Sequence, residues 1–134
     1  MSEYTDPVSL DKWCKLVDLI ISLTQKEKVN WKETPRDDEF LTTHSGISIL
    51  IRQTTSSRAD DDLFVMELRD AEGKVIDSFD DEILDNGSSS HPSYFLRMRD
   101  LAYAIRRKAS GADKVLDDLL VSLGEEEKDK DHPF

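Results

Sequence analysis

The chain falls into stretches of two periods. Between residues 7 and 24, Leu10, Trp13, Cys14, Val17, Ile20, Ile21 and Thr24 gather on one side of a helical wheel. Leu16 and Leu23 widen that side to about half the circumference, against the ~100° stripe of an ordinary surface helix. A stripe this wide predicts two neighbours: a sheet, and a second helix or subunit. Asp6-Pro7 supplies the start, an acceptor cap followed by proline at the first helical position, and Ser9 is a competing cap. The pattern stops after Lys28. Residues 30–39, with Thr34-Pro35, read as a loop that Trp31 anchors to the core.

From Phe40 the period becomes two. Residues 40–43 predict a short strand, His44-Ser45-Gly46 a turn, and the next strand alternates Ile47, Ile49 and Ile51 with Ser48 and Arg52. Residues 54–62 are a polar loop. Phe64, Met66 and Leu68 share one face of a strand over 63–69. Asp70-Ala71-Glu72-Gly73 closes a hairpin, and residues 74–79 return. The far faces are partly polar, as expected when helices cover one side only.

Helical spacing resumes after an acidic and then serine-rich connection over 80–92. Tyr94, Phe95, Met98, Leu101, Ala102, Ile105 and Ala109 form a stripe about a third of the wheel wide, opened by Pro92-Ser93. Ser110-Gly111-Ala112-Asp113 matches a capping box, and Gly111 marks a break or bend. A further helix is expected to turn Leu116, Leu119, Leu120 and Leu123 inward and to end at Gly124, leaving residues 125–134 as a charged tail. The predicted fold is a single α+β domain over residues 1–124. It has an N-terminal helix, a four-stranded antiparallel meander and two C-terminal helix segments on one sheet face.

Composition narrows the function classes. The 134 residues carry 29 acids and 18 bases, a net charge of −11. That balance disfavours nucleic-acid binding and docking on anionic membranes, and suits a basic protein partner. The charge is segregated. Residues 57–85 hold eleven acids against three bases, 93–114 six bases against two acids, and 117–134 seven acids against two bases. The longest apolar stretch, 16–23, is short and interrupted by Asp18, so no membrane span is expected. One cysteine excludes an intrachain disulfide, and the first residues, with Glu3 and Asp6, lack a basic start. A cytoplasmic protein is expected.

Catalytic signatures are absent. No phosphate-binding loop, dinucleotide fingerprint, H-E-x-x-H, nucleophile elbow or C-x-x-C occurs. The wheel turns Cys14 toward the core as a small hydrophobe, and His44 and His91 read as surface loop residues. No cofactor and no metal-ligand spacing is expected.

Two surfaces stand out. Asp60, Asp61 and Asp62 precede one hairpin strand while Asp80, Asp81, Glu82 and Asp85 follow the other, so the two acidic groups should meet at the open end of the hairpin. They could dock a basic surface, hold a hard cation, or simply stay solvated. Opposite the core stripe of the 94–109 helix lie Leu96, Arg99, Tyr103, Arg106 and Arg107 at i, i+3, i+7 and i+10/11, the composition of an interface hot spot. The bland alternatives are cover by the tail or first helix, and cations suited to a helix C-terminus.

The run with Tyr103, Arg106-Arg107, Gly111-Ala112-Asp113 and Leu119-Leu120, together with Trp31, Phe40 and Gly46, resembles the C-terminal part of small bacterial proteins of uncharacterised activity. The resemblance implies no chemistry. By class analogy alone, small acidic α+β proteins of bacteria serve as immunity proteins, antitoxins or chaperone-like adaptors. The expected function is a non-enzymatic protein-binding module, with a homo-oligomer as one form of complex. The alternative is a metal- or carboxylate-dependent enzyme at residues 60–62 and 80–85.

Overall fold

The computed structural model of the chain describes residues 7–55, 62–87 and 93–129. Helix α1 (Pro7–Gln25) leads into strands β1 (Lys32–Glu33), β2 (Glu39–His44), β3 (Ile47–Thr55), β4 (Asp62–Arg69) and β5 (Val75–Asp80). Helices α2 (Asp81–Gly87), α3 (Tyr94–Ala109) and α4 (Ala112–Asp129) follow. The strands form one antiparallel meander in the order β1-β2-β3-β4-β5. The α+β class is as expected. The expected count of four strands falls short by β1, two residues inside the presumed loop, and the connection after β5 contains the extra helix α2.

The period-two pattern sets the register. Phe40 lies opposite Ile51, Ile51 opposite Met66, and Met66 opposite Phe79, so one row of large apolar side chains crosses four strands on one face. Cys14, Val17 and Ile20 of α1 pack on that face with Met98, Leu101, Ala102 and Ile105 of α3. Trp13 stacks on Phe79 with ring centroids 5.1 Å apart and donates its indole N–H to Asp77 Oδ2 at 2.8 Å. Trp31 is buried and donates to Thr24 Oγ1 at 3.0 Å, so it does tie the loop to the end of α1.

On the opposite face Leu50 and Val65 are buried among charges. Arg52 donates to Glu67 Oε1 at 3.1 Å and Arg69 to Glu67 Oε2 at 2.6 Å. Burial alone would raise the Glu67 carboxyl, but Arg52 and Arg69 outweigh it and hold the group below the usual carboxylate range. Glu39 is also buried. One of its oxygens accepts from Thr34 at 2.8 Å, and the other lies 3.9 Å from both Arg36 and Arg52, beyond hydrogen-bond reach.

Glycine decides two connections. Ser45 and Gly46 both have positive φ, 53° and 80°, which is what a two-residue hairpin turn matched to strand twist requires. Gly111, at φ 75°, separates α3 from α4, so the helix breaks there. Ser110 closes α3 as its C-cap, donating its backbone N–H to Arg106 O and its hydroxyl to Arg107 O, while Asp113 pairs with Arg107. The capping box expected at these residues is therefore replaced by a helix end.

Candidate docking surface

The acidic residues are engaged where they lie. Asp80 Oδ1 accepts the Ile83 N–H at 2.9 Å, capping α2. Asp81 is buried at the start of α2, and its Oδ1 accepts the Phe64 N–H of β4 at 2.6 Å. Burial, aided by the charges of Asp80 and Asp85, pushes its carboxyl up to about 6. Asp85 reaches the start of α3, where its oxygens accept the Tyr94 N–H at 2.5 Å, the Phe95 N–H at 3.1 Å and the Ser93 hydroxyl at 3.2 Å. Ser93 Oγ accepts the Leu96 N–H, so three of the unpaired donors of that helix end are satisfied. Asp62 and Glu82 are exposed, and Asp60 and Asp61 lie outside the described residues. Among the described residues no three His, Cys, Asp or Glu side chains come together as a metal could require.

The arginine face is partly assembled. Leu96 and Tyr103 are exposed, at 45% and 59%. Arg99 pairs with its neighbour Asp100 at 3.1 Å, and the Arg107 guanidinium sits 5.9 Å from the Tyr103 ring centroid while bonding Asp113 at 2.7 Å. Arg106 departs from the row. It turns toward the sheet and donates to Asp38 at 2.8 Å and Gln53 Oε1 at 3.3 Å.

Cys14 sits in the core as expected, while His44, expected in the turn, belongs to β2. Cys14 is buried; burial raises its thiol, although a hydrogen bond with the Tyr94 hydroxyl opposes the shift. His44 is exposed at the end of β2, whereas His91 lies outside the described residues.

The largest departure is α4. Leu116, Leu119, Leu120 and Leu123 were expected inward, and they are 47–61% exposed. Val115 and Val121 are exposed as well, and every residue from Asp113 to Lys128 is exposed. The helix also continues through Gly124 to Asp129, into the stretch expected to be tail. The physical reason is room. Two helices about 10 Å across already cover most of a sheet whose strands lie about 4.8 Å apart. With α1 and α3 seated, little of that apolar sheet face remains for α4, and the opposite face carries charged side chains such as Arg52, Glu67 and Arg69.

Beside α4 lies a groove of about 590 Å³ between α1 and α3, whose floor includes Ile21, Leu101, Tyr103 and Ala104. Its walls are tied across by Arg97–Asp18 and Lys108–Glu27, each 2.7 Å. Helix spacing alone could not have revealed the groove, because it depends on how far apart two non-adjacent helices sit. A signal for the exposed stripe did exist: Leu119, Leu120 and Val121 run consecutively between Asp117-Asp118 and Glu125-Glu126-Glu127, so polar groups flank the apolar row closely.

No helix among the described residues is long and apolar enough to cross a membrane. Compared with protein families, curated proteins and solved structures, the chain matches none.

Proposed function

We propose that this chain is a non-enzymatic protein-binding module of the cytoplasm, and that α4 is its principal docking element. The observation that carries this reading is the exposed row Val115, Leu116, Leu119, Leu120 and Leu123 on a helix exposed along its whole length from Asp113 to Lys128. A contiguous apolar patch of several hundred Å² on a folded chain marks an interaction site far more often than an idle surface. An amphipathic helix with anchors at i, i+3, i+4 and i+7 suits helix-in-groove recognition. The acids Asp117, Asp118 and Glu125–Glu127 around the row favour a groove with a basic rim. Immunity-type inhibition and chaperone-like adaptor roles both fit such a module.

The test is site-specific photo-crosslinking in cell lysate, with a photoreactive aromatic residue at position 119 or, as control, at exposed Ile76 of β5. A discrete adduct is expected from 119 and not from 76. Excess unlabelled chain should compete it away, while chain carrying Leu116, Leu119, Leu120 and Leu123→Gln should not. No adduct from 119, or an adduct that the four-fold variant competes equally well, would contradict the proposal.

A further inference from the structure

This acid-rich chain contains a cavity with no acid in its wall. It has a volume of about 380 Å³ and lies at the outer edge of β2, between Lys28 to Asn30 on one side and Thr42 to His44 on the other. The Lys32–Leu41 pair of β1 and β2 borders it. We infer that this cavity binds the phosphate group of a small hydroxylated ester, a ligand separate from the partner of α4.

The fold places both walls. Helix α1 ends with the Glu27 N–H donating to Thr24 O at 3.0 Å and the Lys28 N–H to Leu23 O at 2.9 Å, while Glu27 takes a left-handed φ of 58°. Trp31 is then tied to Thr24, so the stretch from Lys28 to Asn30 is held at both ends. Strand β1 pairs only with Phe40 and Leu41, and β2 runs on past it through Thr42, Thr43 and His44 as an open edge. His44 lies opposite Ile47 across the two-residue turn, and hydrogen-bonded pairs alternate along the ladder from there. The Thr43 N–H and C=O therefore point away from β3, toward the cavity.

Three observations select a phosphate ester. The first is charge. The wall holds two lysines and a histidine against no Asp or Glu. Of the acids flanking it in sequence, Glu27 is held by Lys108 at 2.7 Å and Glu33 does not line the cavity. Arg97 and Arg106 are engaged by Asp18 and Asp38, whereas Lys28 and Lys32 enter no ion pair among the described residues. At physiological salt the Debye length is about 8 Å, so the remoter acids of a chain with net charge −11 are largely screened and the local cations decide which ion enters. The second is the donor set. Two ammonium groups act as point charges on a dianion. The Thr43 N–H, the His44 ring and the hydroxyl of Thr42, a side chain only 5% exposed, supply further donors for its oxygens. The third is size. The cavity is roomier than a bare ion needs and falls at the lower end of the range of about 300–1,000 Å³ that holds small molecules. Val29 and Leu41 offer apolar wall to a short carbon chain, and the Thr43 C=O is an acceptor for its hydroxyl.

Amide chemical shifts of the full ¹⁵N-labelled chain test this at neutral pH and a constant ionic strength of about 0.15 M. The probes are glycerol 3-phosphate, inorganic phosphate and acetate. Glycerol 3-phosphate should shift the amides of Lys28, Asn30, Thr43 and His44 saturably, with half-saturation below about 1 mM, and more tightly than inorganic phosphate. Lys28→Gln/Lys32→Gln should weaken it at least about tenfold. Lys12→Gln/Lys74→Gln, which makes the same change in net charge at exposed positions elsewhere, should leave it unchanged. The same spectra report whether each variant is folded. No saturable shift up to about 10 mM overturns the inference. So do equal shifts with acetate, or equal weakening by the two double variants, either of which would reduce the site to diffuse charge. Inorganic phosphate binding as tightly as the ester would overturn the ester and keep the anion site. The cavity shares no residue with α4, so failure here leaves the docking helix standing, and failure of the crosslink at position 119 leaves the cavity standing.

Discussion

Helices α3 and α4 are neighbours in the chain, of 16 and 18 residues, with apolar rows of the same spacing. Their fates are opposite. Met98, Leu101, Ala102 and Ile105 are 0–4% exposed, while Leu116, Leu119, Leu120 and Leu123 are 47–61% exposed. Burying such a side chain stabilises by about 1.5–3 kcal/mol, but only when something covers it. The α3 row collects that free energy within the domain, against Ile51, Phe64 and Met66. The α4 row stays exposed and does not collect it within the domain. A stripe therefore marks the apolar side of a helix, and does not say what covers it.

The sharpest way to break the comparison is to truncate both rows. Ile105→Ala should destabilise the domain by about 2–5 kcal/mol, since it empties space in a closed core. Leu120→Ala should change the stability of dilute protein by less than about 0.5 kcal/mol, the range of surface substitutions. Chemical denaturation of both measures the contrast; equal losses would place α4 in the core.

The stability of the body should also respond to pH. The folded Asp81 carboxyl titrates near 6 against an ordinary 3.8, so folding takes up a proton between those values. Its contribution therefore makes stability fall as pH rises through that window, by up to about 1.4 kcal/mol per pH unit. Asp81→Asn retains the acceptor for the Phe64 N–H and should remove that slope. Glu67 works in the opposite sense. Held below its ordinary value by Arg52 and Arg69, it stabilises above that value and loses its contribution as pH falls. Unfolding curves of Asp81→Asn and Glu67→Gln between pH 3 and 7 separate these effects.

Smaller effects probe how each helix is held. Asp85→Ala, which removes the acceptor of two backbone N–H groups at the start of α3, should cost about 1–2 kcal/mol of domain stability. The circular-dichroism signal of α4 at low temperature should stay unchanged. Lys114→Ala breaks an exposed pair with Asp118 at 3.1 Å and should lower helix content in α4 slightly, by about 0.3 kcal/mol, with no shift in domain unfolding.

Much of the body was legible in the chain. The alternation of Ile47, Ile49 and Ile51, the Ser45-Gly46 turn and the α3 row gave the meander and its covering helix, because period and turn chemistry act locally. Strand β1 was not legible: Lys32 and Glu33 are exposed and polar, and they pair only because β2 offers an edge. The acidic residues were seen as a patch. Asp80, Asp81 and Asp85 instead satisfy backbone donors, a role set by where α2 and α3 begin. The arginine face was read as a row on one helix side, and Arg106 leaves that row for Asp38 and Gln53 on other parts of the chain. For α4 the spacing was right and the direction wrong, since spacing does not count the helices a sheet can hold.

Hydrogen exchange of the full chain at two concentrations tests the central claim, that α4 is a docking element outside the domain core. Amides of α3 should exchange slowly at both low micromolar and near-millimolar protein. Those of α4 should exchange faster than those of α3 at both. Slow exchange of α4 at both concentrations would mean that its own domain covers it, and would contradict the account.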